Sequence, residues 1–314
     1  MARPTIISKT PQHLRVPPNL PLERPPFSWG QAAKDLEGLP GGGLNIAHEA
    51  VDRQVRRGLG SKTALRIVRK RGPAQDISYA ELSSRTSRFA NVLQTLGVAA
   101  GEAVFSLLGR QRELYVAVLG SLKAGRVFCP LFSAFGPEPI ATRMGIGEGR
   151  VLVTTQRLYE RKVRSIRDQL PTLRHIILVA DGDTDVVIND ADAAAGVRSW
   201  DALLDAASPE FQTVATTAET PGVMHFTSGT TGKPKGALHV HGAVVLHQST
   251  GRLVLDLHDN DIYWCTADPG WVTGMSYGII APLCCGVTSI VDEADFEAER
   301  WYRILAEQQV TVWY

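Results

Sequence analysis

Residues 103–130 read AVFSLLGRQRELYVAVLGSLKAGRVFCP, and the pattern of this stretch decides the fold class. The apolar run at 103–108 has the length of a buried strand. Over 112–124 apolar residues recur at helical spacing, and Gly125 can close that helix. A second short apolar run follows at 127–130. Strand, helix and strand with short connections form a βαβ unit, which predicts parallel pairing.

The alternation extends outward in both directions. Upstream, Ser78 with Glu81 spells a capping box, and Leu82, Phe89, Leu93 and Leu96 share one helical face that Gly97 can end. Downstream, strands are expected at 151–154, 175–180 and 222–226, with a basic helix between the first two and a short helix after Ser199. Helices near 241–254, 276–284 and 295–309 then alternate with strands at 262–265, 287–291 and 310–314. The expected fold class is α/β, mostly parallel sheets flanked by helices. The last strand reaches Tyr314 with no turn or polar tail, which predicts a domain that continues past it. Residues 1–43 are rich in proline and end in Gly41-Gly42-Gly43, which predicts an extended surface arm with order beginning near Leu44.

The 314 residues carry a formal net charge of +1, with 44% hydrophobic and 21% charged residues. That balance gives no electrostatic case for nucleic acid or a membrane surface. The densest basic run, from Arg53 through Arg56, Arg57, Lys62, Arg66 and Arg69 to Lys70 and Arg71, reads as a strand with a solvated outer face or as an anion-binding patch. No long apolar run follows the basic residues of the start, and no stretch has the roughly 20 apolar residues of a membrane span. Cys129, Cys265, Cys284 and Cys285 show neither metal spacing nor a disulfide framework, which predicts reduced thiols and a cytoplasmic protein.

The strand expected at 222–226 runs into Thr227-Ser228-Gly229-Thr230-Thr231-Gly232-Lys233-Pro234-Lys235-Gly236. Glycines free the backbone N–H groups to turn toward an anion, hydroxyls add donors, and lysines add charge. Expected between a strand and a helix, such a loop can wrap polyphosphate oxygens. It is not the Gly-x4-Gly-Lys-Ser/Thr loop: Thr227 stands where the first glycine belongs, and Pro234 follows Lys233. By composition alone it also reads as an ordinary surface turn.

The full ten-residue string resembles the phosphate-binding signature of the adenylate-forming superfamily. Further stretches are similar to the acetyl-CoA synthetase branch: Asp261–Gly274, Leu44-Asn45-Ile46-Ala47 with Val51-Asp52-Arg53, Leu122-Lys123-Ala124-Gly125, and Pro130–Glu138. The resemblance covers residues 44–314. It implies an arm at 1–43, an incomplete N-terminal AMP-binding domain over 44–314, and a C-terminal lid domain that lies elsewhere.

The resemblance also implies a chemistry. A short carboxylate such as acetate attacks the α-phosphate of Mg-ATP, and coenzyme A then displaces AMP. Catalysis would rest on positioning and on neutralising negative charge. Thr227, Ser228, Gly229, Thr230, Thr231 and Gly232 are expected on the β- and γ-phosphates. Lys235 is the expected phosphate lysine, and Lys233 a solvated partner. Trp271, Val272 and Thr273 match the acyl-pocket segment, Trp271 closing its floor, although Trp271 also reads as a core aromatic. Met275 stands where many longer members carry histidine. Arg143 and Thr273 are expected toward coenzyme A, with a solvent-exposed arginine the other reading of Arg143. The family's adenine-holding and ribose-holding motifs and its adenylation lysine fall outside these residues, so the chain is expected to be inactive alone. A propionate ligase and a non-catalytic gene product are the competing readings. His225, His239, His241 and His247 gather around the loop without a matching Cys, Asp or Glu set, and read as core or solvated histidines.

Overall fold

The computed structural model describes residues 16–20, 26–182, 184–227 and 233–314. Its strands in chain order are β1 Thr63–Val68, β2 Gln75–Ser78, β3 Ala103–Leu107, β4 Val127–Leu131, β5 Val151–Thr155, β6 His175–Val179, β7 Val197–Ser199, β8 Pro221–Thr227, β9 Lys235–Val240, β10 Ile262–Trp264, β11 Thr288–Asp292 and β12 Val312–Trp313. They form two sheets. One runs β7-β6-β5-β3-β4-β8-β9, the other β12-β10-β11-β1-β2. Every pairing is parallel except β8 with β9 and β1 with β2. This is the mixed, mainly parallel α/β fold that the alternation of elements predicts.

Parallel strands covered on both faces should be apolar throughout, and β3, β4, β5 and β11 are buried at every position. Side-chain alternation splits the core accordingly. Val104 of β3 joins a cluster with Leu82, Phe89 and Leu93 of the helix Tyr79–Thr95, and that cluster reaches Leu65 and Ile67 of β1. Phe105 and Leu107 point the other way, to Ile140, Met144, Tyr159 and Val163. One set of helices is thus held between the two sheets, and another covers the far face of the larger sheet.

Ser78 caps the helix Tyr79–Thr95, its hydroxyl accepting the Glu81 N–H at 3.1 Å. Only half of the capping box forms, because the Glu81 carboxylate pairs instead with Arg85 one turn along, at 2.8 Å.

Several stretches depart from the sequence expectation. Residues 1–15 and 21–25 of the proline-rich arm lie outside the described residues, but its end is not merely extended. Ser28 caps a short helix, Trp29–Ala33, and the Glu37 and Gly38 N–H groups donate to the fully buried carboxylate of Glu49. Of the basic run only Arg66 lies on a strand, where it pairs with Asp76 of β2 at 2.8 Å; Arg56 and Arg57 sit in the helical turns Val55–Leu59. The basic helix expected before β6 is broken into the short turns Gln156–Leu158, Tyr159–Val163 and Arg164–Gln169. Cys129, Cys265 and Cys284 are buried, Cys285 is half-buried, and all four are free thiols. No helix among the described residues is long and apolar enough to cross a membrane.

Two segments quoted above for their resemblance meet inside the fold. The Lys123 ammonium, only 1% exposed, donates to the Asp52 carboxylate at 2.7 Å and to the Ser87 hydroxyl at 3.2 Å. Nearby, the Asn45 amide donates to the Leu122 carbonyl at 2.8 Å, and its oxygen accepts the Ala47 N–H. These residues tie the segment 45–52 to the helix Arg112–Lys123.

Candidate active site

In open parallel sheets the strands deliver their loops to the carboxyl edge, where ligands bind. β4 and β8 run parallel and adjacent, so the segment after Thr227 emerges beside the one after Leu131. The second sheet contributes from across a crevice. Arg110, just beyond β3, donates to the Asp292 and Ala294 carbonyls at the end of β11. Phe132, just beyond β4, packs on Trp271, which follows β10, with ring centroids 5.8 Å apart. The carboxyl ends of both sheets therefore face one another.

The loop itself is held differently from the strand–loop–helix expected. β9 returns antiparallel along β8, and Thr227 pairs with Lys235 at the mouth of the turn. The described residues that flank the phosphate-type loop are thus two antiparallel strands, not a strand and a helix N-terminus. Sequence reasoning missed β9 because Lys-Gly-Ala-Leu-His-Val shows no period-two apolar pattern; its first four residues are exposed. Thr227, Lys233 and Lys235 are all exposed. Ser228, Gly229, Thr230, Thr231 and Gly232 lie outside the described residues.

Trp271, Val272 and Thr273 open a helical run that continues through Val272–Met275, Ser276–Ile280 and Ala281–Cys284. The preceding turn is tight. The Asp268 carboxylate accepts the Gly270 N–H at 2.7 Å, and the Asp268 carbonyl accepts the Trp271 N–H at 3.0 Å. A Cβ on Gly274 would lie 2.1 Å from the Asp268 carbonyl oxygen, and one on Gly270 would lie 2.7 Å from the Phe132 Cα. Only glycine fits at either place. Burial raises the Asp268 carboxyl above its ordinary value, against the opposing pull of the Gly270 N–H and of Arg110.

Trp271 is 53% exposed and Val272 41%, so the core-aromatic reading of Trp271 fails: the indole stands at the crevice wall. Phe132 also packs edge-on against Phe135 at 5.6 Å, and the Arg143 guanidinium lies 4.3 Å over the Phe135 ring. Arg143 donates from Nη1 to the Pro139 carbonyl of its own helix, while its buried Nε has no partner among the described residues. Trp271, Phe132, Phe135 and Arg143 thus form one continuous wall. Phe132 and Phe135 were visible in the quoted string Pro130–Glu138, but nothing in it gave them a role.

The histidines divide. His225, His241 and His247 are buried, and His239 is partly exposed. His225 of β8 and His239 of β9 meet edge-to-face at 5.3 Å. With Val223, His247, Met275 and Ile280 they line a small apolar pocket under the hairpin. Burial pulls His225, His241 and His247 down to about 4, with His239 and His247 adding to the effect at His225. His241 Nδ1 accepts the Ile46 N–H at 3.0 Å. Among the described residues no group of three or more His, Cys, Asp or Glu could hold a metal ion. The pocket joins the two candidate segments: His225 lies two residues before Thr227, and Met275 two residues after Thr273.

Comparison with known proteins points the same way. Residues 51–314 match the model of the AMP-binding enzyme family. Acetyl-coenzyme A synthetase of Bacillus subtilis is 36% identical over 289 residues, 92% of this chain and 48% of that protein. The Salmonella typhi protein of the same name is 37% identical over 267 residues, 80% of this chain and 40% of the relative. The crystal structure of Brucella canis acyl-CoA synthetase superposes with a TM-score of 0.80 at 29% identity, covering 91% of this chain and 50% of that one. The chain therefore spans about half the length of the relatives it matches. On this sequence match and this fold, the chain belongs to the AMP-binding enzymes, the adenylate-forming acyl-CoA synthetase family.

Proposed function

We propose that this chain carries the ATP-gripping and acid-selecting residues of an AMP-forming ligase that joins a short carboxylate, acetate in the first place, to coenzyme A. The observation that supports the reading most is the closure of the hairpin by Thr227 and Lys235 at the carboxyl edge, beside β4 and the aromatic wall. The Lys235 ammonium and the Thr227 hydroxyl, with residues 228–232, take the β- and γ-phosphates. Magnesium arrives as the ATP chelate. Carboxylate and triphosphate repel each other, so a fixed lysine at the phosphate tail lowers the barrier through charge neutralisation and alignment.

Trp271 limits the length of the acid and Val272 lines its apolar side. Thr273 faces both the acid and the incoming thiol, and Arg143 reaches coenzyme A from the end of the wall. The acetate reading draws on the names of the bacterial relatives and on the bulk of the exposed indole. Exchange of labelled pyrophosphate into ATP, measured in a full-length ligase that carries these residues together with the adenine-holding motif and the adenylation lysine, tests it. Exchange should require acetate, fall in Lys235→Ala, and extend to longer acids in Trp271→Gly. Equally fast exchange with acetate and hexanoate in that full-length parent would remove the short-acid assignment.

A further inference from the structure

Away from the crevice, the basic run of the sequence supplies part of a second cavity, of about 560 Å³. Arg53 and Arg57 reach it from the helical turns that follow His48–Asp52, and Arg252 from the end of the helix Ala243–Leu253. Asn19 closes one side, held there by Asp256, the Leu257 carbonyl and His258. Small-molecule sites typically occupy about 300–1,000 Å³, so the space suits a metabolite and not only a water cluster.

The charge is partly but not fully answered. Arg252 pairs with Asp35 at 3.1 Å, and Arg53 lies 3.5 Å from Glu49, whose carboxylate is shared with two backbone N–H groups. Arg57 makes one hydrogen bond, to Gln54, and the buried Arg53 Nη1 makes none among the described residues. Each guanidinium carries five donors, and each of these three makes a single hydrogen bond among the described residues. Asp259 is the remaining carboxylate on the lining. A solvated basic face needs no such convergence from separate elements onto one open cleft. A carboxylate offers two oxygens in a plane, whereas a phosphate offers three in three directions, which matches arginines arriving from different sides.

We propose that this cavity binds a phosphorylated small molecule, its phosphate seated among Arg53, Arg57 and Arg252. The site is separate from the hairpin and does not depend on the function proposed above.

Equilibrium dialysis with labelled inorganic phosphate tests it, using the parent, Lys235→Ala, Arg57→Gln and the double variant Arg57→Gln/Arg252→Gln. Saturable binding of one equivalent should persist in Lys235→Ala and weaken roughly tenfold or more in the double variant. Glycerol phosphate should displace the label and succinate should not. Arg57 is exposed and makes one bond, so Arg57→Gln alone should keep the parent's melting curve and still weaken binding, even if the double variant unfolds. No saturable binding, binding lost in Lys235→Ala, displacement by succinate as good as by glycerol phosphate, or undiminished affinity in Arg57→Gln would each overturn the proposal.

Discussion

Thr227 and Lys235 are cross-strand partners, the last residue of β8 opposite the first of β9, and they flank the glycine- and hydroxyl-rich stretch of the sequence on either side. An antiparallel ladder fixes register strongly where one face is buried. Here β8 is anchored by Val223 and His225, so the position of the lysine is set by the sheet and not by the loop. Lys235→Ala should therefore leave stability within about 0.5 kcal/mol, as for exposed substitutions generally. Urea unfolding of the variant checks this before any ligand is added.

Gly274 should tolerate no side chain. A Cβ 2.1 Å from the Asp268 carbonyl oxygen forces the turn apart, and with it the position of Trp271. Gly274→Ala should cost about 1–3 kcal/mol, the range for overpacked sites. A variant that melts with the parent would show that the turn is looser than described.

Trp271 makes a contrasting case. With half its surface already in water and Phe132 its ring partner, Trp271→Ala should cost less than the roughly 3–5 kcal/mol of a buried tryptophan. Its effect should appear in acid selectivity, measured in the full-length ligase with a series of acids of increasing length in pyrophosphate exchange. A large loss of stability with unchanged selectivity would return Trp271 to a core role.

The Asp52–Lys123 pair should be unforgiving on one side only. Asp52→Asn leaves a buried ammonium without its counter-ion and should cost about 3–5 kcal/mol, whereas Lys123→Met with Asp52→Asn should recover much of that loss. Denaturant unfolding of the single and double variants measures the coupling directly.

The buried histidines give stability a pH dependence with a definite sign. His225, His241 and His247 titrate near 4 in the fold and near their ordinary 6.5 when unfolded. Below about 6.5 the unfolded chain binds more protons, so stability falls as pH drops from 6.5 toward 4 and levels off below that, as far as these groups are concerned. Replacing His247 with Gln should flatten the decline in melting temperature between pH 7 and pH 4.5. An unchanged slope would mean that the ring is already protonated or hydrated in the fold.

How much of this was legible in the sequence depended on periodicity. The βαβ unit of β3, β4 and the helix Arg112–Lys123 could be read within a residue or so at each boundary, because apolar runs and helical spacing are strong local signals. The Ser78 cap was equally plain. β9 was not, since an exposed edge strand of Lys, Gly, Ala and His lacks an apolar stripe. The division into two sheets was invisible, because pairing β1 with β11 depends on contacts more than 200 residues apart. Of the site, the residue types of the loop were legible; the meeting of Trp271 with Phe132 required the fold. The exposure of Trp271 likewise could not be inferred from composition.

The proposed function stands or falls with the segment between Thr227 and Lys235 gripping the phosphate tail of ATP. Calorimetric titration of Mg-ATP into the complete protein, as the parent and as Lys235→Ala, tests it most directly. Saturable binding in the parent, weakened roughly tenfold or more in the variant, is the predicted result. Equal affinity in two equally stable proteins would contradict it.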